Sequence, residues 1–119
     1  MVQHGDVWKN QHGTIELRCG DWREVLADVE TCDAVITDPP FSEKTHAGAL
    51  DATTLERGVA SYSSMSEKEA IELVEWCYKI ADAWIVIHTD DVLGYTIKNA
   101  TISLGRYTFP LLPVLQQQP

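Results

Sequence analysis

Thr14-Ile15-Glu16-Leu17-Arg18-Cys19 alternates apolar and polar side chains, the period of a half-buried β-strand. Gly20 and Asp21 break the alternation. Asp21-Trp22-Arg23-Glu24 then puts an acid at a helix N-cap with Glu three residues on, the spacing of a capping box. Trp22, Val25, Leu26 and Val29 follow at i, i+3, i+4 and i+7 and predict one apolar helix face. Residues 33–37 are a short, mostly apolar run that stops at Asp38. Strand, helix and strand in this order predict a parallel βαβ unit.

Periodicity disappears over about residues 42–65, where Gly, Ala, Ser and Thr predict a long surface loop. Ser66-Glu67-Lys68-Glu69 is a second capping box, and Ala70, Ile71, Val74, Cys77, Tyr78 and Ala81 mark a helix face behind it. Trp84-Ile85-Val86-Ile87-His88 is apolar almost throughout, as a strand covered on both faces is. Trp76 and Trp84 are therefore assigned to the core. Thr89-Asp90-Asp91 predicts another helix cap, with the helix ending near Gly105. Residues 107–115 are β-like, but Pro110 and Pro113 restrict them to an edge or an irregular strand. The fold class is α/β, and in such sheets ligands bind beyond the C-terminal ends of the strands. Gly20-Asp21, Asp38 and His88-Thr89-Asp90 occupy three such ends, which are expected to line one crevice.

A chain of 119 residues suits one small domain. Its 45% hydrophobic and 23% charged content is that of a globular protein. No apolar run reaches the roughly 20 residues of a membrane helix, and the N-terminus lacks a signal-peptide stretch. The expected setting is the cytoplasm, away from membranes. The three cysteines are widely spaced without C-x-x-C, which points to reduced thiols rather than a disulfide framework or a zinc knuckle. His4, His12, Cys19 and Cys32 match no metal-ligand spacing, and no metal is expected. A net charge of −9 argues against free-standing nucleic-acid binding, because phosphate neutralisation needs Lys and Arg.

The densest chemistry lies at Asp38-Pro39-Pro40-Phe41. As a bare strand terminator it needs no function, since proline cannot continue a ladder. At the mouth of a polar crevice it offers more. Two prolines fix the backbone, so the Pro39 carbonyl points in a set direction at little ordering cost. A carboxylate and a carbonyl together accept both hydrogens of a flat NH₂ group. Phe41, on a rigid stem, stacks on the flat ring system that carries the amine.

With these residues the chain resembles the N-terminal half of the DNA amino-methyltransferases that modify N6 of adenine or N4 of cytosine. Their signature is (D/N/S)-P-P-(Y/F/W), and Asp38-Pro39-Pro40-Phe41 fits it. Gly20-Asp21, a helix and an apolar strand precede it as in that family, and Trp84-Ile85-Val86-Ile87 loosely matches the next core strand. The resemblance implies a Rossmann-like methyltransferase fold with a mostly parallel sheet, S-adenosyl-L-methionine (AdoMet) as cofactor, and DNA whose target base is flipped out. It implies a catalytic set of Asp38, Pro39, Pro40 and Phe41, with adenine favoured by Asp at position 38. It assigns AdoMet contacts to Gly20, Asp21 and Asp38. For Asp21, helix capping is an equal account. His88 reads as a strand-end histidine bonded to backbone. Lys44, His46 and Arg57, in the long loop, are candidate phosphate contacts or simply solvated.

One departure is plain. The F-x-G-x-G motif that cradles the methionine end of AdoMet is absent, and the seven glycines never fall as G-x-G. The expectation is a partial catalytic domain, inactive in isolation, that pairs as a homodimer or with a complementing C-terminal half. RNA and protein amino-methyltransferases with similar sites, and a non-catalytic remnant of the same fold, are the alternatives.

Overall fold

Asn10 turns the chain back on itself. In the computed structural model, which describes residues 1–45 and 63–108, its backbone N–H donates to the Ile15 carbonyl and its side-chain oxygen accepts from the Ile15 N–H, both at 3.0 Å. Its amide nitrogen donates to Thr14 Oγ1 at 2.8 Å. Gly13, inside the turn, takes a φ of +67°, which residues bearing a Cβ adopt with difficulty. The turn closes β1 (Val7–Lys9) onto β2 (Glu16–Arg18) as an antiparallel pair with Trp8 opposite Leu17.

This corrects the expected parallel βαβ unit. Among the described residues β2 pairs with β1, and the partner of β3 (Cys32–Thr37) is β4 (Ala81–Ile87). The physical reason lies in the connecting helix rather than in the length of the connection. A parallel crossover needs a dozen or more residues, usually with a helix long enough to return along the sheet. The helix α1 (Trp22–Val25) is a single turn of four residues, so Val29 lies beyond it and the expected four-residue face is not one helical stripe. Asn10 meanwhile offers β2 a neighbour close by.

The chain divides into two compact units, Met1–Cys32 and Asp33–Pro119. In the first, Arg18 is the main tie. Its guanidinium donates to Glu16 at 2.5 Å, to the Val25 carbonyl at 2.7 Å and to the Asp28 carboxylate. Asp28 first, then Glu16, hold Arg18 well above its ordinary pKa, and Arg18 in turn lowers both carboxyls. Apolar burial contributes little here: Val7, Trp8, Ile15 and Leu17 are all exposed.

The second unit holds the core. Helix α2 (Glu67–Ile80) begins with the predicted capping box. Ser66 Oγ accepts from the Glu69 N–H at 3.1 Å, and the Ser66 N–H donates to Glu69 Oε2 at 2.8 Å. Its buried stripe is Ala70, Leu73, Val74, Cys77 and Ile80. Ile71 and Tyr78, expected on that face, are exposed. Helix α2 packs on α3 (Asp91–Ser103) and on β4, with Leu93 buried in α3. Helix α3 ends in a Schellman motif: the Arg106 N–H bonds the Thr101 carbonyl and the Gly105 N–H the Ile102 carbonyl, with Gly105 at φ +80°. The Arg106 guanidinium then reaches the Ala81 carbonyl at 2.8 Å and the Ala83 carbonyl at 3.2 Å, and lies over the Tyr78 ring.

Strands β3 and β4 form a small parallel sheet, so the protein is mixed α/β. Burial alternates along the C-terminal half of each strand. Val35, Thr37, Ile85 and Ile87 are half-buried, whereas Ile36 and Trp84 are 81% and 68% exposed. Successive side chains of a strand point to opposite faces, so only one face is covered. Trp84 is thus not a core residue, and Trp76 is half-buried. Tyr107 and Thr108 form no strand, and the rest of the expected edge strand lies outside the described residues, as do residues 46–62 of the long loop.

Candidate functional site

The parallel register of β3 and β4 brings two strand ends of the second unit side by side. The His88 N–H, one residue past β4, donates to the Thr37 carbonyl at the end of β3 at 2.9 Å. That bond places Asp38 and His88 next to each other. His88 Nδ1 lies 2.8 Å from Asp38 Oδ1. The other carboxylate oxygen, Oδ2, has no hydrogen-bond partner among the described residues. Phe41 sits against the same imidazole, with ring centroids 5.4 Å apart and planes tilted by 56°. Pro39 and Pro40, between Asp38 and Phe41, are half-buried. Asp38, Phe41 and His88 therefore form one cluster. The sequence signalled the first two. His88 was read as a strand-end histidine bonded to backbone; its main-chain N–H makes a ladder bond, but its ring meets the Asp38 carboxylate instead.

Behind this cluster stands a strut. Asp90 caps α3 by accepting from the Leu93 N–H at 2.9 Å. Its other oxygen accepts from the Ser42 N–H at 2.9 Å and from Ser42 Oγ at 2.5 Å. Ser42 is 5% exposed and directly follows the Asp38–Phe41 turn. The Phe41 carbonyl is held as well, accepting from the Met65 N–H at 2.9 Å. The end of the motif is thus tied to the start of α3 by bonds that join residues far apart in sequence.

Partial burial pushes the Asp90 carboxyl up, but hydrogen bonds from Ser42 and Thr45 and from the Leu93 N–H outweigh it and hold the pKa at about 2. The carboxyl is more acidic folded than unfolded, where it titrates at roughly 3.9. Its contribution is therefore complete above that unfolded value and is lost as pH falls towards about 2. Between pH ~4 and ~2 the wild type should lose more stability than Asp90→Asn, which has no charge to lose there. Denaturant midpoints of both proteins at the two pH values check this, and equal losses would contradict it.

Gly20 and Asp21 belong to the first unit. Asp21 Oδ1 accepts from the Arg23 N–H at 2.9 Å, the expected cap. This bond first, and then the Arg23 side chain, lower its pKa. The reciprocal arm of the box is not made, because Glu24 instead meets His4 Nε2 at 2.8 Å. Gly20 has φ +152°, and a Cβ there would lie 2.5 Å from Val25 Cγ1 and 2.9 Å from the His4 ring. Both residues thus have local roles in capping and packing. A groove of about 410 Å³ opens beside Gly20 and Trp22, floored by Val25, Leu26 and Val29, and Asp21 does not line it. The charged groups at this groove, Glu16 and Arg18, bond each other, so it offers less chemistry than Asp38 Oδ2, which has no partner among the described residues.

Lys44 is exposed, and His46 and Arg57 lie outside the described residues. Among the described residues no three His, Cys, Asp or Glu side chains converge as a metal site, and no helix is long and apolar enough to cross a membrane. No protein-family model, curated protein or solved structure matches this chain.

Proposed function

We propose that the second unit carries the amine-gripping site of an AdoMet-dependent amino-methyltransferase with a Rossmann-like fold. Its substrate is an exocyclic amine on a base flipped out of DNA, N6 of adenine before N4 of cytosine. The supporting observation is the Asp38 carboxylate just past β3, exposed, with Oδ1 held by His88 and Oδ2 without a partner among the described residues. A carboxylate in that position has an acceptor to spare.

An amine conjugated to a heterocycle is a poor nucleophile, because its lone pair belongs to the ring. Accepting its hydrogens at Asp38 Oδ2 and at the Pro39 carbonyl turns the NH₂ group and frees the lone pair. Phe41 stacks on the base and holds it in plane. AdoMet would supply the electrophilic methyl, the C–N bond forming as the C–S bond breaks, and one amine proton would pass to water. The residues of this chain act by position and charge, the effects on which such a displacement depends.

A protein amide is the second reading. The net charge of −9 favours it, since an amide needs no phosphate neutralisation. The two are separated by incubating the chain, paired with the complementing C-terminal half expected for it, with labelled AdoMet and, side by side, DNA, RNA and protein. Label in DNA is the expected result. Label in protein alone selects the second reading, and none in any arm leaves a non-catalytic module of the same fold.

A substitution series reads the role of Phe41. Stacking on a base is worth about 1–3 kcal/mol and survives exchange among aromatic rings. Phe41→Ala should cost roughly tenfold or more in catalytic efficiency, while Phe41→Tyr and Phe41→Trp should keep most of it. Equal losses in all three would exclude stacking.

A further inference from the structure

We propose that His88 is a positioning residue for Asp38: its ring N–H commits one carboxylate oxygen and so fixes the plane in which the other meets the amine. This use of the pair rests on the amino-transfer reading above. The pair itself rests on geometry. An ionised carboxylate only accepts hydrogen bonds, so the 2.8 Å contact from Nδ1 to Asp38 Oδ1 makes Nδ1 the donor. The bond made at one ring nitrogen sets the tautomer of the whole imidazole.

Three contacts hold the ring where it can do this. The His88 backbone N–H is bonded to the Thr37 carbonyl, which fixes one strand end against the other. The side chain then returns to the very next residue, Asp38. The Phe41 ring, 5.4 Å away, braces the imidazole from the far end of the same turn. The pair is not needed to fill a core: the His88 and Asp38 side chains are 70% and 75% exposed. Exposed ion pairs add little to stability. A contact of this kind, with one oxygen engaged and the other without a partner among the described residues, is better explained by orientation than by folding.

Without His88, Asp38 is free to rotate, and its open oxygen samples directions that do not meet the amine. Misplacement of a catalytic group by about 1 Å costs on the order of 10²-fold in rate. His88→Ala should therefore lower kcat roughly 10- to 100-fold with little change in KM. His88→Asn places a side-chain N–H donor near the position of Nδ1 and should recover most of the loss. A residue that only supports the fold would not show this difference between Ala and Asn.

The deciding measurement has two readouts, ring spectra of the full chain and turnover of that chain paired with its complementing half. Long-range ¹H–¹⁵N spectra of the His88 ring, at a pH where it is neutral, should show Nδ1 protonated in the wild type. Asp38→Ala should return it to the Nε2-protonated form that predominates in free histidine. A ring already Nε2-protonated in the wild type, or unchanged in Asp38→Ala, overturns the pair. Wild-type turnover in His88→Ala overturns its use in positioning. Absence of transfer by the wild type to DNA, RNA and protein overturns the reaction, and this use with it, and the spectra then still report separately on the pair.

Discussion

Asp38→Ala should lose on the order of 10²-fold or more in methyl transfer, the scale of removing one preorganised polar partner from a reacting centre, and should stay folded. Both halves of this expectation come from the same geometry. The carboxylate is exposed, and its recorded side-chain contact is to an exposed histidine, so its loss removes little that holds the fold. The same group is the acceptor proposed to turn the amine. Asn at position 38 keeps a carbonyl oxygen but not the charge, so Asp38→Asn should fall between wild type and Asp38→Ala. Initial rates with labelled AdoMet, alongside thermal melts, separate the two effects. Near-normal turnover in Asp38→Ala would remove it from the reaction, and a collapsed melt would mean that Asp38 belongs to the fold instead.

Asp90→Ala should have the opposite profile, a large loss of stability. Its carboxylate accepts from the Leu93 N–H, the Ser42 N–H and Ser42 Oγ at once. Losing a helix N-cap costs about 1 kcal/mol. Leaving a buried donor such as the Ser42 N–H unpaired costs about 1–3 kcal/mol more. Together they lower stability by roughly 2–4 kcal/mol, a large fraction of the total for a chain of this size. Ser42→Ala removes the hydroxyl and leaves the backbone bond, so its cost should be smaller. Equilibrium denaturation of the two variants gives the order. If Asp90→Ala melts with the wild type, the bonds seen at Ser42 do not hold the turn. Where it is destabilised, activity should fall as well, because Ser42 adjoins Phe41.

The elements read correctly from the sequence are those whose signals are local. The Ser66–Glu69 capping box, the Asp90 cap and the Gly105 stop are each settled within a few residues, and each stands where expected. Strand β3 was legible because an apolar run ends in an acid and two prolines. What escaped depends on pairing. Strand β1 is three residues long, and its partner is fixed by the side chain of Asn10. The apolar run at β4 predicted cover on both faces, yet an apolar run does not say how many layers surround it, and Trp84 is exposed. For α2, the pattern admitted two neighbouring stripes, and packing chose Leu73 and Ile80 over Ile71 and Tyr78. The site divides in the same way. Asp38 and Phe41 were visible in a tetrapeptide, whereas His88 joins them from 50 residues away, through a strand register that no local pattern encodes.

The guanidinium of Arg106 has a meaning beyond closing α3. The N–H of His88 turns towards β3, so the backbone groups of residues 82, 84 and 86 do likewise, and those of Ala81 and Ala83 face the opposite border of the sheet. These are the two carbonyls that Arg106 occupies. A strand arriving on that side would need the same acceptors, and would have to displace a cation also seated on Tyr78. Among the described residues β4 has no strand on that side, and the chain posts a sentry there, as proteins do where unpaired strands invite unwanted neighbours. Any enlargement of this sheet beside β4 is a competition with Arg106, decided at two carbonyl oxygens.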